Sequence, residues 1–245
     1  KSKSAAHRTI PLSTPMLPKF QMDFNFLNCD LDKEPIEGGK YPTDPWATTL
    51  TCVDCQTMNP LVLTVPSKSP EAAYTYMTRS VVTFVKRMAY KEANIQIDGE
   101  PAIKALCEAV VKDCRQEGVT LHIKVATRYS SARLGHVGKM QDFTEAQIRC
   151  LRTDLETRYG FKVNPDDVIW PWLTRHSGWQ VERFHVRANG STAYEDCFGT
   201  QYRGEVLRLG ETAVFRHSFS ASGKMTKKKR IGKGDNRFEK GIFLG

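Results

Sequence analysis

The segment Phe20-Gln21-Met22-Asp23-Phe24-Asn25-Phe26-Leu27 alternates apolar and polar residues along its whole length. This period of two is typical of a β-strand with one buried face. An aspartate in the middle of such a strand is costly to bury unless a cation or hydrogen-bond donors face it. The segment therefore predicts a strand with Asp23 as a candidate functional residue, although an edge-strand aspartate facing water would also explain the pattern.

A second short strand also ends in a carboxylate. It is Ile95-Gln96-Ile97-Asp98, and Gly99-Glu100-Pro101 then turns directly into a helix that carries Ile103 and Leu106 on its apolar side. Two such strands lying side by side would form the hard-oxygen site that Mg²⁺ prefers. The pair Asp23 and Asp98 is therefore the first candidate metal site.

The rest of the first 160 residues supplies further strands and helices. Strands are predicted at 46–55, 60–65 and 119–125, and amphipathic helices from Glu71 to about Met88 and from 141 to 159. An antiparallel meander of three strands is thus followed by alternating helices and strands. This order predicts an α/β fold with a mixed sheet and helices on its faces.

The sequence pattern changes beyond Gly160. A tryptophan-rich helix is predicted from Val168 to Arg183, followed by short strands at 206–209 and 213–215. A basic tail and a short apolar segment, 241–245, come last. These segments resemble a small β-barrel interrupted by a basic loop, and truncation of this module stays open.

Composition limits the classes of function. The chain has 245 residues, of which 40% are apolar, so one full domain with a smaller appendage is expected. Its net charge of +9 favours a polyanionic partner, with solvated basic faces as the alternative. Seven cysteines fit free thiols in a reducing compartment, and no run of about 18 apolar residues occurs. We expect a soluble, unsecreted nuclear or cytoplasmic protein without a membrane partner.

Several motifs together resemble those of retroviral and retrotransposon integrases. Asp98-Gly99-Glu100-Pro101-Ala102-Ile103 resembles the second-aspartate motif of that family, and Asp23, 75 positions earlier, falls where the family places its first aspartate. Residues 169–176, Ile-Trp-Pro-Trp-Leu-Thr-Arg-His, resemble the helix after the core in one branch of retrotransposon integrases. The resemblance implies an extended lead-in (1–18), a ribonuclease-H-like core (19–160), a helical extension (161–200) and a small basic SH3-like β module (201–245).

The third carboxylate of that family is missing from the matching stretch. The family motif is Ser-x-x-Asn-Gly-x-x-Glu, and here Leu134 stands for the Asn and Gly138 for the Glu. The resemblance implies DNA integration by ancestry, with Asp23 and Asp98 as catalytic residues and ligands of Mg²⁺ or Mn²⁺ in a weak or partial site. A degenerate copy with little catalysis is the main hypothesis. Two alternatives stay open: an active nuclease or transferase that uses Asp142, Glu145 or Glu100 instead, and a non-enzymatic nucleic-acid or protein-interaction module.

Two further patterns complete the predictions. The spacing Cys52-x-x-Cys55 suits zinc or a redox pair, but no second ligand pair of suitable spacing follows, so core cysteines without zinc are expected. DNA phosphates are the predicted partners of a set of basic residues, with a solvated loop or a nuclear-import signal as the rival for the tail. The basic set is Lys139, Lys227, Lys228, Lys229 and Arg230. Self-association into a homo-oligomer is implied by the resemblance alone.

Overall fold

The computed structural model describes residues 16–27, 47–68, 70–126, 134–216 and 238–244. Seven strands and five helices lie within these ranges. The strands are β1 (Lys19–Leu27), β2 (Ala47–Asp54), β3 (Pro60–Val65), β4 (Glu92–Ile97), β5 (Thr120–Val125), β6 (Thr212–Arg216) and β7 (Phe238–Ile242). The helices are α1 (Pro70–Arg87), α2 (Pro101–Gln116), α3 (Gly135–Tyr159), α4 (Trp170–Phe184) and α5 (Ala193–Phe198).

The main sheet has five strands in the order β3-β2-β1-β4-β5. Strand β1 is central: it pairs antiparallel with β2 and parallel with β4, and β4 pairs parallel with β5. Antiparallel neighbours can be joined by short connections, whereas parallel neighbours need a crossover, which α2 supplies between β4 and β5. The predicted mixed α/β sheet is confirmed.

The two faces of the sheet carry different helices because side chains alternate along each strand. The even-numbered residues of β1, including Phe20, Met22 and Phe24, pack with α1 and α2 in the largest buried cluster. The odd-numbered residues face α3 and α4, as Leu27 does in a cluster with Leu151 and Leu173. Asp23 therefore points to the α3 side of the sheet.

The end of the described chain packs against α3 and α4. The Arg158 side chain donates to the Leu209 carbonyl, and the Tyr159 hydroxyl donates to the Gly210 carbonyl at 2.7 Å. Strands β6 and β7 pair antiparallel beyond this contact. Within the described residues this region is a two-stranded ribbon, and a complete SH3-like module stays a prediction.

Two sequence predictions need correction, and one helix was not predicted. Helix α3 begins at Gly135, six residues before the predicted start, because glycines at 135 and 138 weaken the helical pattern there. The predicted strand at 206–209 is irregular backbone, and its residues Val206 to Arg208 are largely exposed. Helix α5 was not predicted, although Thr192 and Glu195 form a capping box at its start.

None of the described helices has the length and apolar character needed to cross a membrane.

Candidate metal site

The parallel register of β1 and β4 brings the two predicted aspartates together. Gln21 pairs with Gln96 in this register, and their side chains are joined by a hydrogen bond of 3.1 Å from Nε2 of Gln21 to Oε1 of Gln96. Asp23 lies two residues further along β1, and Asp98 lies one residue past the end of β4. The charge of Asp98 acts on the Asp23 carboxyl, so the two carboxylates are neighbours, and we call this pair the acidic row.

The turn after β4 fixes the position of Asp98. Its Oδ1 accepts a hydrogen bond from the Glu100 backbone N–H at 3.0 Å, and α2 begins one residue later at Pro101. Proline is favoured at the first turn of a helix because its missing N–H has no helical acceptor there. The Glu100 carboxylate is held separately by Lys68 Nζ at 2.7 Å. Asp98 is thus held just after the carboxyl end of β4, while the charge of Glu100 is paired with that of Lys68.

The charge state of Asp23 reflects this arrangement. Burial raises the pKa of its carboxyl from 3.8 to about 6, and the negative charges of Asp98 and, less strongly, Glu100 add to the rise. The Phe24 backbone N–H, which donates to Oδ1 at 2.8 Å, and the positive charge of Lys68 partly oppose it. Two carboxylates that repel each other in a half-buried place favour a proton or a cation between them.

Helix α3 covers the same face of β1. The backbone N–H groups of His136 and Val137 donate to Oε1 of Gln21 at 2.9 and 3.0 Å. Eight residues along the helix from Val137, Oε1 of Glu145 accepts from the Asn25 side chain at 2.5 Å. Because Gln21 and Asn25 flank Asp23 on one face, the middle of this helical segment lies over the aspartate.

Two buried polar atoms occur in this layer. Thr51 is the partner of Asp23 in the β1–β2 register, so its side chain shares the face, and its hydroxyl is buried. Gln141, midway between Val137 and Glu145 on α3, has a buried Nε2. Neither atom has a hydrogen-bond partner within the described residues. The site therefore contains donors that an anion or a metal-bound water could use.

The position matched to the missing carboxylate is on the side of α3 that faces this layer. Gly138 lies seven residues before Glu145, which is nearly two full helical turns, so the two positions share a face of the helix. A Cβ added at Gly138 would meet no atom of the described residues within 4 Å. No group of three or more His, Cys, Asp or Glu side chains in the described ranges is placed to hold a metal ion.

The chemistry of the Asp23 and Asp98 carboxylates suits a divalent ion. Mg²⁺ is commonly held by one or two carboxylates with water completing its octahedron, and Asp23 with Asp98 provide such a pair. A second ion needs further carboxylates, which the described residues do not bring to this row. Sequence reasoning found both aspartates but missed Gln21, Gln96 and Asn25, whose alternation with apolar residues was the available signal.

The remaining predicted residues lie elsewhere. Lys139 is exposed on a different side of α3, with its Nζ 5.5 Å from the centre of the Phe143 ring. The tail residues Lys227, Lys228, Lys229 and Arg230 lie outside the described residues. Cys52 is buried in the core with a free thiol, and burial raises the pKa of the Cys55 thiol to about 12.

Comparisons with solved structures show that the fold of this chain occurs in other proteins. The chain is similar to a chain of the simian T-cell lymphotropic virus intasome in complex with PP2A regulatory subunit B56 gamma. The identity is 11%, the TM-score is 0.51, and the match covers 97% of this chain and 73% of that chain. At this identity the likeness establishes the fold alone, a five-stranded mixed sheet flanked by helices, as the sequence resemblance predicted.

Two further solved structures are similar to this chain. The catalytic core domain of BIV integrase has 13% identity and a TM-score of 0.47, over 74% of this chain and 93% of that one. The HTLV-2 integrase catalytic core domain in complex with magnesium has 11% identity and a TM-score of 0.46, over 74% and 97% of the two chains. No family model and no curated protein matches the sequence.

Proposed function

We propose that this chain is an integrase-like protein whose Asp23–Asp98 pair holds one divalent metal ion and which performs little or no DNA strand transfer. The observation that carries the proposal is the shared row of the two carboxylates, with the pKa of Asp23 raised to about 6 by burial and by Asp98. The fold, the motifs around Asp98 and the donor chemistry support integrase-like ancestry. The ion is Mg²⁺ or Mn²⁺, because carboxylate oxygens are hard ligands.

Phosphodiester transfer in two-metal sites uses a second metal ion in addition to the one that this site would hold. A metal ion bound here would supply activation of a water or a 3′-hydroxyl, while a paired second ion stabilises the leaving oxygen in two-metal sites. Asp23 and Asp98 would hold one ion, and the Glu100 carboxylate is engaged by Lys68. The chain's own residues thus support metal binding better than the complete reaction.

Restoring the missing carboxylate tests this proposal directly. Gly138→Glu adds a side chain into open space, and a glycine inside a helix is also the weaker helix former, so the variant should fold. We expect it to raise Mn²⁺-dependent nicking or strand transfer on a DNA-end substrate at least tenfold over the unmodified chain. Gly138→Gln is the matched control, because it has nearly the same shape without the charge.

A relocated acid is the second candidate, and one contact favours it. Glu145 is the carboxylate of α3 that reaches β1 on the Asp23 face, through its 2.5 Å hydrogen bond with Asn25. Glu145→Gln keeps this contact's size but removes the charge. Robust activity of the unmodified chain that Glu145→Gln abolishes would establish the relocated site and overturn the degenerate-copy proposal. If Gly138→Glu also stays inactive and metal titration shows no binding, a non-enzymatic module is the remaining function.

DNA binding is proposed to survive the loss of catalysis, in the nucleus or the cytoplasm. The chain carries a net charge of +9, and the basic tail is separate in sequence from the acidic row. Each phosphate contact contributes a slope of about −0.9 in log K against log salt on B-DNA. Replacing Lys227, Lys228, Lys229 and Arg230 with Ala should therefore flatten the slope by up to about 3.6, as measured by fluorescence anisotropy over a salt series. An unchanged slope would assign the tail to a solvated loop or an import signal.

Self-association is proposed on the integrase-like ancestry and on no contact of this structure. Sedimentation of the purified chain over a range of concentrations tests it. A mass that rises with concentration supports a homo-oligomer, and a constant monomer mass contradicts it.

A further inference from the structure

A cleft of about 720 Å³ lies on a different side of α3 from Asp23. Its walls are the turn after β2, the first turns of α3 and the segment that follows α4. Ligand pockets for small organic molecules have volumes of about 300–1,000 Å³, so this cleft has the size of such a site. We name it the α3–α4 cleft, and its chemistry differs from that of the acidic row.

The floor of the α3–α4 cleft is apolar and partly aromatic. Met140 and Val181 are buried there, in a cluster with the partly buried Met58 and Phe143. The rings of Phe143 and His185 lie 4.2 Å apart between centroids, tilted at 43°. Both rings line the cleft, so they offer a surface on which a flat ring can pack.

The rim of the cleft is cationic. Lys139 is exposed and lines it, together with His136 and Arg187. Arg187 is already committed, because it forms an ion pair with Asp196 and donates to the Ser191 hydroxyl. Lys139, in contrast, makes a cation–π contact with Phe143 and keeps its ammonium available to an anion.

Burial and nearby positive charges lower the pKa of two histidines that line the cleft, His136 and His185. Desolvation lowers the pKa of His136, and the charges of Lys19 and Lys139 lower it further. Desolvation also lowers the pKa of His185, with added effects of Lys139 and Arg187. Neutral imidazoles at pH 7 act as flat rings and hydrogen-bonding groups, while the lysines supply the charge.

We propose that the α3–α4 cleft binds a nucleoside monophosphate, with its base against Phe143 and His185 and its phosphate at Lys139. The aromatic floor and the Lys139 ammonium at the rim match a ligand that joins a flat ring to a compact dianion. The ligand is either a free nucleotide or the 5′-phosphorylated end of a nucleic-acid strand, which present the same chemistry. This site goes beyond the proposed function and does not depend on the aspartates.

Calorimetric titration of the full chain tests the proposal, with thymidine 5′-monophosphate, thymidine and inorganic phosphate as probes. We expect the monophosphate to bind at least tenfold more tightly than either of the others. A 5′-phosphorylated oligothymidylate bound more tightly than the same oligothymidylate without its 5′-phosphate would assign the site to a strand end, and equal binding of these two would assign it to the free nucleotide. Equal affinity for thymidine and its monophosphate would overturn the proposal.

Variants separate the two halves of the ligand. Lys139→Gln should reduce monophosphate binding to the thymidine level, and Phe143→Leu should weaken both by about tenfold, the order expected for loss of one stacked base. Lys112→Gln, at an exposed lysine of α2 on the other face of the sheet, is the matched control and should change nothing. Because Lys139 is exposed, its variant stays informative even if Phe143→Leu folds poorly. Unchanged binding in Lys139→Gln would refute the site.

The aspartate row provides the separation from the proposed function. Asp23→Asn should leave monophosphate binding unchanged while it removes metal binding. If the unmodified chain binds no metal ion, the proposed function alone is contradicted. If it binds no nucleotide, the proposal for the cleft alone is contradicted.

Discussion

Replacing Asp23 with Asn should stabilise the protein at neutral pH and leave it unchanged in acid. The folded state raises the pKa of this carboxyl from 3.8 to about 6 through burial and the Asp98 charge, so the folded chain holds the proton more tightly than the unfolded chain. Stability from this group is complete below pH 3.8 and is lost as the pH rises through about 6. Asn imitates the protonated form and removes that loss.

The magnitude follows from the pKa. A rise from 3.8 to about 6 corresponds to at most about 3 kcal/mol at roughly 1.4 kcal/mol per pKa unit. Asp23 is only half-buried, and solvent screening reduces this to about 1–2 kcal/mol. For a chain of this size the gain corresponds to roughly 2–8 °C in Tm at pH 8.

The assay is urea denaturation of both chains between pH 4 and pH 8, with and without Mg²⁺. The difference between the two chains isolates Asp23 together with its coupling to Asp98 and Glu100, because titrating groups that do not interact with Asp23 contribute equally to both. Mg²⁺ at about ten times its Kd should stabilise the unmodified chain by about 1.4 kcal/mol and the variant much less. Asp166→Asn, at an exposed loop position, is the control. A stability difference that does not change with pH would refute the reasoning, since the pKa of Asp23 would then not be raised in the folded chain.

Three other substitutions test packing and capping elsewhere in the fold. Gly210→Ala should lower the free energy of unfolding, measured by urea denaturation, by about 2–4 kcal/mol. The residue has a φ of 79°, and its new Cβ would lie 2.8 Å from a neighbouring leucine carbon. Gly118→Ala, with the same φ and open space around it, should lower the free energy of unfolding by about 1 kcal/mol. Glu182→Gln should lower the free energy of unfolding by about 2–4 kcal/mol, because this buried carboxylate contacts two arginines. Glu117→Gln, at an exposed ion pair, should lower the free energy of unfolding by under about 1 kcal/mol. Equal losses in the two variants would contradict the burial argument. Thr192→Ala should remove the capping box of α5 at a cost of about 0.5–2 kcal/mol, and an unchanged midpoint would show that this helix does not unfold with the core.

The sequence predicts the sheet and the aspartate pair because both depend on local alternation. Phe20 to Leu27 shows which residues share a face, and the same alternation before Asp98 places its side chain. The parallel register, by contrast, joins residues 75 positions apart and leaves no local pattern. The contact between Asn25 and Glu145 spans 120 positions, so it was not predicted, although Glu145 was among the acids considered as a replacement.

Errors arose where glycine or short polar segments weaken the periodic pattern. The start of α3 was placed six residues late because Gly135 and Gly138 interrupt the helical periodicity, yet tertiary contacts with Gln21 hold that turn. Helix α5 has six residues, too few for a hydrophobic period, and its capping box was the one local signal. The α3–α4 cleft joins three distant segments and could not be predicted from any of them alone.

The central position of β1 has a consequence for the folding kinetics. Strand β2 is the next strand after β1 in sequence and pairs with it antiparallel, whereas the parallel partner β4 follows only after β3 and α1 in the chain. Closing so long a loop is slow, because its entropy is lost before the new contacts compensate for it. Repulsion between the two carboxylates therefore develops at a late, non-local step. Folding should accelerate in mild acid if this strand pairing is already present in the transition state.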